Sequence, residues 1–315
     1  RESNTVTQPS FTVVVPSYFR PDALRTCLLG LAQQLVKPET IFVVLRPEDL
    51  DAIEVVVSVA IDPPVQVLFV HEPGVLAAMA VGLRTSTTDW IAFTDDDAVP
   101  SPSWIANFKA AARPGLVGIG GRDCLVDGGV PRATTLTESV GSIGNWGQLT
   151  GNHHRGTGQP RNVAMLKGVN CAYRATLLGI PHGLRGTGAQ VHFEVAIGLD
   201  LSRFGALRYD PSITVTHEPG ERVGADGRRT PTPRAVSDVA ANAVFAMTAS
   251  GLGLALRRAL FSLLIGDASC PGIVRAIVGL RDADIRSRVL PAMRGTIQAA
   301  WAVAFGYRIA FIRRD

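Results

Sequence analysis

Asp95-Asp96-Asp97 places three adjacent carboxylates at the end of an apolar run, residues 90–94, and just before Ser101-Pro102, a helix-start pair. Three adjacent carboxylates repel one another, and gathering them at a strand end costs stability unless a cation neutralises them. Mg²⁺ or Mn²⁺, held through one or two carboxylates and the phosphates of a substrate, meets that need. The plainer reading is a solvated acidic turn capping the next helix. The buried strand before the acids weighs against it.

A second acid, Glu194, stands far away in sequence, in a helical pattern near residues 191–204. Gly151-Asn152-His153-His154-Arg155-Gly156 could mimic a metal site, but adjacent loop histidines point apart and have no Cys or Glu partner at ligand spacing. A loop facing an acceptor or a diphosphate suits this segment better, with His154 as its contact. Lys167 and Asn170 stand before a short helix expected near residues 173–178 and are candidates to line an acceptor pocket. Trp146 and Tyr173 could stack on a sugar face or pack in a core.

These groups need a frame. Residues 12–15, 41–45, 65–70 and 90–94 are short, β-branched or aromatic runs and read as buried strands. Helical patterns at 22–35, 47–60 and 74–86 lie between them, and another helix is expected to start at Ser101-Pro102. This alternation predicts an α/β fold, a parallel sheet covered on both faces, with ligands at the carboxyl ends of its strands. Those ends carry Pro16-Ser17-Tyr18, Arg46, His71-Glu72 and the three aspartates. Farther on, residues 141–161 are rich in Gly, Asn and His and read as a long loop, and strands are expected at 163–167 and 212–216.

Composition bounds the rest. The chain has 315 residues, 46% hydrophobic and 18% charged, which suffices for a large core and excludes global disorder. Mean hydropathy is +0.20 and the net charge is +4. The basic excess suits an anionic substrate or an anionic membrane surface, and no Lys/Arg run points to nucleic acid. Cys27, Cys124, Cys171 and Cys270 form no CxxC pair and read as reduced thiols. The polar N-terminus and the lack of a long uninterrupted apolar stretch predict a cytoplasmic protein, with peripheral contact at the inner face of the cell membrane as an option. That option rests on residues 252–265 and 296–312, which are apolar and dotted with arginines.

The ordered set of motifs resembles a family 2 glycosyltransferase of bacterial type. FTVVVPSYFRPDALRTCLLGL is similar to that family's first strand, nucleotide-binding turn and first helix, and EPGVLAAMAVGLRTSTTDWIAFTDDDAVPSPSWI to its helix and DxD strand. LKGVNCAYRATLL resembles its acceptor-side segment, and HFEVAIGLDLSRFGALRYDPSITVTH its catalytic-helix region. The resemblance spans roughly residues 11–217. It implies a GT-A fold, a Rossmann-like, mostly parallel sheet flanked by helices, followed by a C-terminal helical segment. With the residue pattern on either side of it, the expected organisation is an N-terminal tail at 1–10, a catalytic domain at 11–220, a flexible connection at 221–234 and a helical region at 235–315.

The resemblance also implies roles. Pro16, Ser17, Tyr18 and Arg20 would border the base and ribose of a UDP-, GDP- or dTDP-sugar, Asp95 and Asp96 would meet the donor, and Asp97 and His217 would hold Mn²⁺ or Mg²⁺. Glu194 would be the base that deprotonates a saccharide or lipid-linked acceptor, giving inversion at the anomeric carbon and a place in polysaccharide or lipid-linked saccharide synthesis. A cation on the departing phosphates and a base across the sugar are what such a displacement needs. Two departures stand out. After the second strand the family's acids are replaced by Leu45-Arg46-Pro47-Glu48-Asp49, leaving Asp49 as a substitute, and the family's Glu-Asp pair is here Glu194-Val195. The competing readings are a nucleotidyltransferase, which would want a Gly-rich basic phosphate loop that PSYFRPD lacks, and a non-catalytic nucleotide- or saccharide-binding protein.

Overall fold

The structure, a computed structural model, describes residues 8–220, 231–279 and 281–314. The chain first alternates strand and helix: β1 (Phe11–Pro16), α1 (Pro21–Ala32), β2 (Thr40–Leu45), α2 (Leu50–Ser58), β3 (Val65–Phe69), α3 (Val75–Thr85) and β4 (Trp90–Phe93). After the aspartates come β5 (Ala98–Pro100), α4 (Trp104–Ala111), β6 (Leu116–Asp127), β7 (Val130–Pro131), β8 (Ser142–Ile143), β9 (Leu149–Thr150) and β10 (Arg161–Val163). Then follow β11 (Cys171–Arg174), β12 (Gly179–His182), α5 (Phe193–Leu201) and β13 (Ala206–His217). Single 3₁₀ turns lie at His153–Arg155 and Gly168–Asn170.

One large sheet runs in the order β10-β13-β6-β11-β4-β1-β2-β3, with β5 on β13 and β7 on β6. β3, β2, β1 and β4 are parallel, as are the long strands β6 and β13, while β11 runs antiparallel between β4 and β6. Alternate side chains of each strand go to opposite faces. Phe11, Val13, Val15, Ile41, Val43, Leu45, Trp90 and Ala92 therefore join the core under α1, α2 and α4. Val14, Phe42, Val44, Ile91 and Phe93 join the core under α3 and α5.

That second core continues into the C-terminal region. α6 (Pro233–Met247), α7 (Leu252–Leu264), α8 (Ile273–Val278), α9 (Ala283–Ala304) and β14 (Ala310–Arg313) complete the chain. Val244, Phe245, Met247, Ala255, Ala259, Ala299 and Val303 share one apolar cluster with Phe193, Val195 and Ile197 of α5. The region is not helical throughout: β14 pairs antiparallel with β12, and the Arg314 guanidinium donates to Ser86 O and Thr88 O at 3.0 Å each. α6 starts at Pro233 rather than 235, capped by Thr232 Oγ1 accepting from Ala235 N at 3.2 Å. Of the expected connection at 221–234, residues 221–230 lie outside the described residues, as do residues 1–7 of the expected tail.

Three local expectations fail. The strand expected at 163–167 is not formed, since β10 ends at Val163. Residues 173–178 do not begin a helix, because the backbone of Cys171–Arg174 is claimed by β4 on one side and β6 on the other, and Tyr173 is buried in the core rather than open to a sugar. α4 begins at Trp104, two residues after the Ser101-Pro102 pair, since Ser101 O first closes a turn with Trp104 N at 2.9 Å.

Candidate functional site

The carboxyl ends of β1 and β4 and the end of β13 converge. Past β4 the three aspartates diverge in role. Asp96 points into the protein: it is buried, accepts from Ser17 Oγ at 2.7 Å and pairs with Arg20 Nη2 at 2.7 Å. Burial pushes its carboxyl up to about 7, against the pull of Arg20 and Ser17. It therefore anchors the loop after β1 and does not present itself to a donor. Asp95 and Asp97 are half-buried and face a common point with His217, their ligand atoms lying within 4.8 Å of one another.

Asp97 has one committed oxygen and one spare. Oδ2 accepts from Arg20 Nη1 at 2.9 Å and from Gly220 N at 3.0 Å. Oδ1 lies 3.3 Å from His217 Nε2 and has no hydrogen-bond partner among the described residues. Burial opposes charge on Asp97, but His217 and Arg20 overcome it and hold the carboxyl well below the usual carboxylate range. His217 Nδ1 sits 3.6 Å from Asp123 Oδ2, and neither ring nitrogen has a hydrogen bond. Buried polar atoms left in this state are expensive, and a cation between Asp95, Asp97 and His217 would satisfy them. The donor set, two carboxylates and an imidazole, fits Mn²⁺ or Mg²⁺.

Asp123, on β6, was not singled out in the sequence. It is fully buried, takes Lys167 Nζ at 2.5 Å and backs His217, which makes it the orienting partner of that imidazole. The available signal was a charged pair, Arg122-Asp123, inside an otherwise apolar strand pattern.

The loop after β1 holds the other expected donor contacts. Ser17 is buried against Asp96, whereas Tyr18 and Phe19 are exposed, their rings 4.8 Å apart edge to face. Phe19 has a φ of 50°, an unfavourable region for a bulky residue. Asp49 holds it there, Oδ2 accepting from Phe19 N at 2.6 Å while Oδ1 caps α2 through Ala52 N at 3.3 Å. Asp49 is thus buried with both oxygens used by the chain, which removes it as a base contact.

Glu194 lies in the first turn of α5, half-buried against Gly168. Burial raises its carboxyl above the usual range, the Lys167 charge partly offsets this, and Asp95 is close enough to add to the rise. Glu194, Lys167 and Asp95 therefore share one neighbourhood. α5 can lie this close because Gly198 meets Ala164 O, where a Cβ would be only 2.2 Å away. His154 is half-buried and feels the charges of Asp123 and Lys167, while its neighbour His153 turns inward to Met165 O at 3.1 Å.

Asn170 does not join them. It is fully buried: its Oδ1 accepts from Trp104 Nε1 at 2.8 Å, and its Nδ2 donates to Ile213 O at 2.9 Å and Arg122 O at 3.1 Å. No atom is left for an acceptor. Trp146 is exposed on the β8–β9 hairpin, whose Gly147 O accepts from the buried Arg258 at 3.0 Å.

The sequence matches the glycosyl transferase family 2 domain over residues 12–178, more than half of the chain. The chain belongs to glycosyl transferase family 2. The matched segment of this family 2 chain runs from β1 through β11 and includes the three aspartates, Asp123, Lys167 and Asn170. Among solved structures it is similar to GalNAc-T7 with UDP, GalNAc and Mn²⁺, at 13% identity and TM-score 0.61, over 96% of this chain and 58% of that one. It is also similar to the mannosyltransferase PcManGT from Pyrobaculum calidifontis in complex with GDP-Man and Mn²⁺, at 14% identity and TM-score 0.51, over 95% of this chain and 88% of that one. These likenesses are of fold, and they bear out the GT-A expectation; the chain spans little more than half the length of the first of them. No curated protein matches the chain.

Proposed function

We propose that this family 2 enzyme transfers one sugar from a nucleoside-diphosphate donor to a saccharide or lipid-linked acceptor, with inversion at the anomeric carbon. The observation that supports the reading most is the Asp95–Asp97–His217 cluster, backed by Asp123 and Lys167, with Glu194 near enough to feel the charges of Lys167 and Asp95. Two fold relatives hold UDP or GDP-Man together with Mn²⁺.

Asp97, His217 and Asp95 would hold Mn²⁺ or Mg²⁺, which when bound neutralises the charge that builds on departing phosphates. Arg20, locked between Asp96 and Asp97, keeps the loop after β1 beside the acids, so that Tyr18 offers an exposed ring to the donor base. Glu194, made a stronger base by burial, takes the proton of the acceptor hydroxyl. Lys167, paired with Asp123, steadies the charge on that base. One base and one displacement leave no covalent intermediate, hence inversion. Polysaccharide or lipid-linked saccharide synthesis is the setting this chemistry suits.

The test is a panel of UDP-, GDP- and dTDP-sugars, assayed for nucleotide release with Mn²⁺, with Mg²⁺ and with chelator. One nucleotide class should be turned over only with metal, and Asp97→Ala should abolish it. Full-strength nucleotide binding in chelator, measured by calorimetry, would remove the metal from the account.

A further inference from the structure

The C-terminal helices expose apolar side chains on their outer side. On α7, Leu252, Leu256, Leu260 and Leu264 recur every four residues and are all exposed, opposite the buried Ala255, Arg258, Ala259 and Ser262. That spacing aligns them as one ridge along the helix. α8 packs against α7 and α9 yet buries none of its own residues: Ile273, Val274, Ile277 and Val278 are exposed, Val278 at 84%. α9 adds exposed Trp301 and Phe305, their rings stacked at 5.1 Å. Exposed apolar residues gathered in this number on neighbouring helices mark a contact surface.

Charge selects the occupant. Residues 251–315 contain ten arginines, four aspartates and no lysine or glutamate, a net +6, so the whole-chain +4 leaves −2 for residues 1–250. Arg257 and Arg275 are exposed within the apolar helices α7 and α8 themselves. A second copy presenting the same face would meet like charge, whereas a bilayer rich in anionic lipid complements both features. No described helix is long and apolar enough to cross a membrane. The helices would instead lie in the interface plane, leucines among the acyl chains and arginine heads at the phosphates.

We propose that the α7–α8 face docks this protein on the surface of an anionic lipid bilayer. The proposal is independent of the transfer reaction, because sedimentation with vesicles is read without any sugar nucleotide. The full chain is mixed with phosphatidylcholine vesicles with or without phosphatidylglycerol. It should sediment with the anionic vesicles alone, and less so as salt is raised. Burying one leucine corresponds to about tenfold in partition, so Leu256→Glu with Leu260→Glu should reduce binding about a hundredfold. Arg257→Glu with Arg275→Glu should weaken it and remove its salt dependence. Unchanged circular dichroism and thermal melting confirm that the variants fold; should the leucine pair fail to fold, Ile277→Ser, on a helix with nothing buried, replaces it. Three results overturn the proposal: no sedimentation of the wild-type chain, equal sedimentation of the folded variants, or a dimer in light scattering that Leu260→Glu separates, which would give the face to a second copy.

Discussion

His217 and Asn170 define the two fates of a polar residue in this protein. Burial works against a charge on His217, but Asp123 and Asp97 on either side outweigh it and raise its pKa above the ordinary 6.5. A cation must displace that proton, so apparent metal affinity should climb with pH through the neutral range and level off only above the raised pKa. Titrating Mn²⁺ by calorimetry at several pH values checks this; in His217→Gln the slope should flatten and the affinity fall. Asn170 is held by three internal bonds, and Asn170→Ala removes the acceptor of a buried indole N–H and one bond from each of two carbonyls. That should cost about 3 kcal/mol of stability, seen as a lower denaturant midpoint with donor affinity unchanged in the folded fraction. The sequence shows that Asn170 and Asp49 have ligand-like side chains, but not that a neighbouring indole or a left-handed Phe19 has already claimed them. Asp123 escaped notice for the converse reason: its partners come from distant segments, His217 through the pairing of β6 with β13 and Lys167 from the segment that leads into β11, which also pairs with β6.

At the scale of elements, α5 depends on the C-terminal region. Its buried Asp200 is paired with Arg203, one turn on, and with Arg313 Nη2 of β14 at 2.6 Å. Its apolar residues share a core with α6, α7 and α9. Ending the chain before α6 would uncover that core, including the partners of Val244, Phe245, Met247, Val303 and Ile309. At roughly 2 kcal/mol for each large apolar side chain, the loss is about 10 kcal/mol, comparable to the entire stability of a typical domain. A chain ending at residue 232 should therefore lack a cooperative thermal transition. The four strands from β1 to β4 were legible because each is a short apolar run between helical patterns. β11 was misread as a helix because its four residues resemble either form, and only the strands on both sides decide. The shared core also had no local signature, since the alanine-rich faces of α6 and α9 look the same whether they cover a sheet or each other.

The whole molecule divides its labour by charge and by face. Acids and their partners occupy the carboxyl end of the sheet, and the arginine excess is carried by residues 251–315. The expected pairing of a metal cluster with a separate base requires β4, β13 and α5 to meet, an arrangement the ordered motifs imply. Glu194 is the residue on which the catalytic account turns, because it separates transfer from binding. With its carboxyl raised by burial, activity should fall as pH drops through that raised pKa, at a higher pH than an ordinary glutamate near 4.5 would give. The most direct measurement compares Glu194→Gln with the wild-type chain for turnover and for donor affinity under the same conditions. The account predicts a loss of about 10²–10⁴-fold in turnover, with donor and metal affinity held within a few fold. Near-normal turnover by Glu194→Gln would contradict it and return Glu194 to the role of a helix carboxylate.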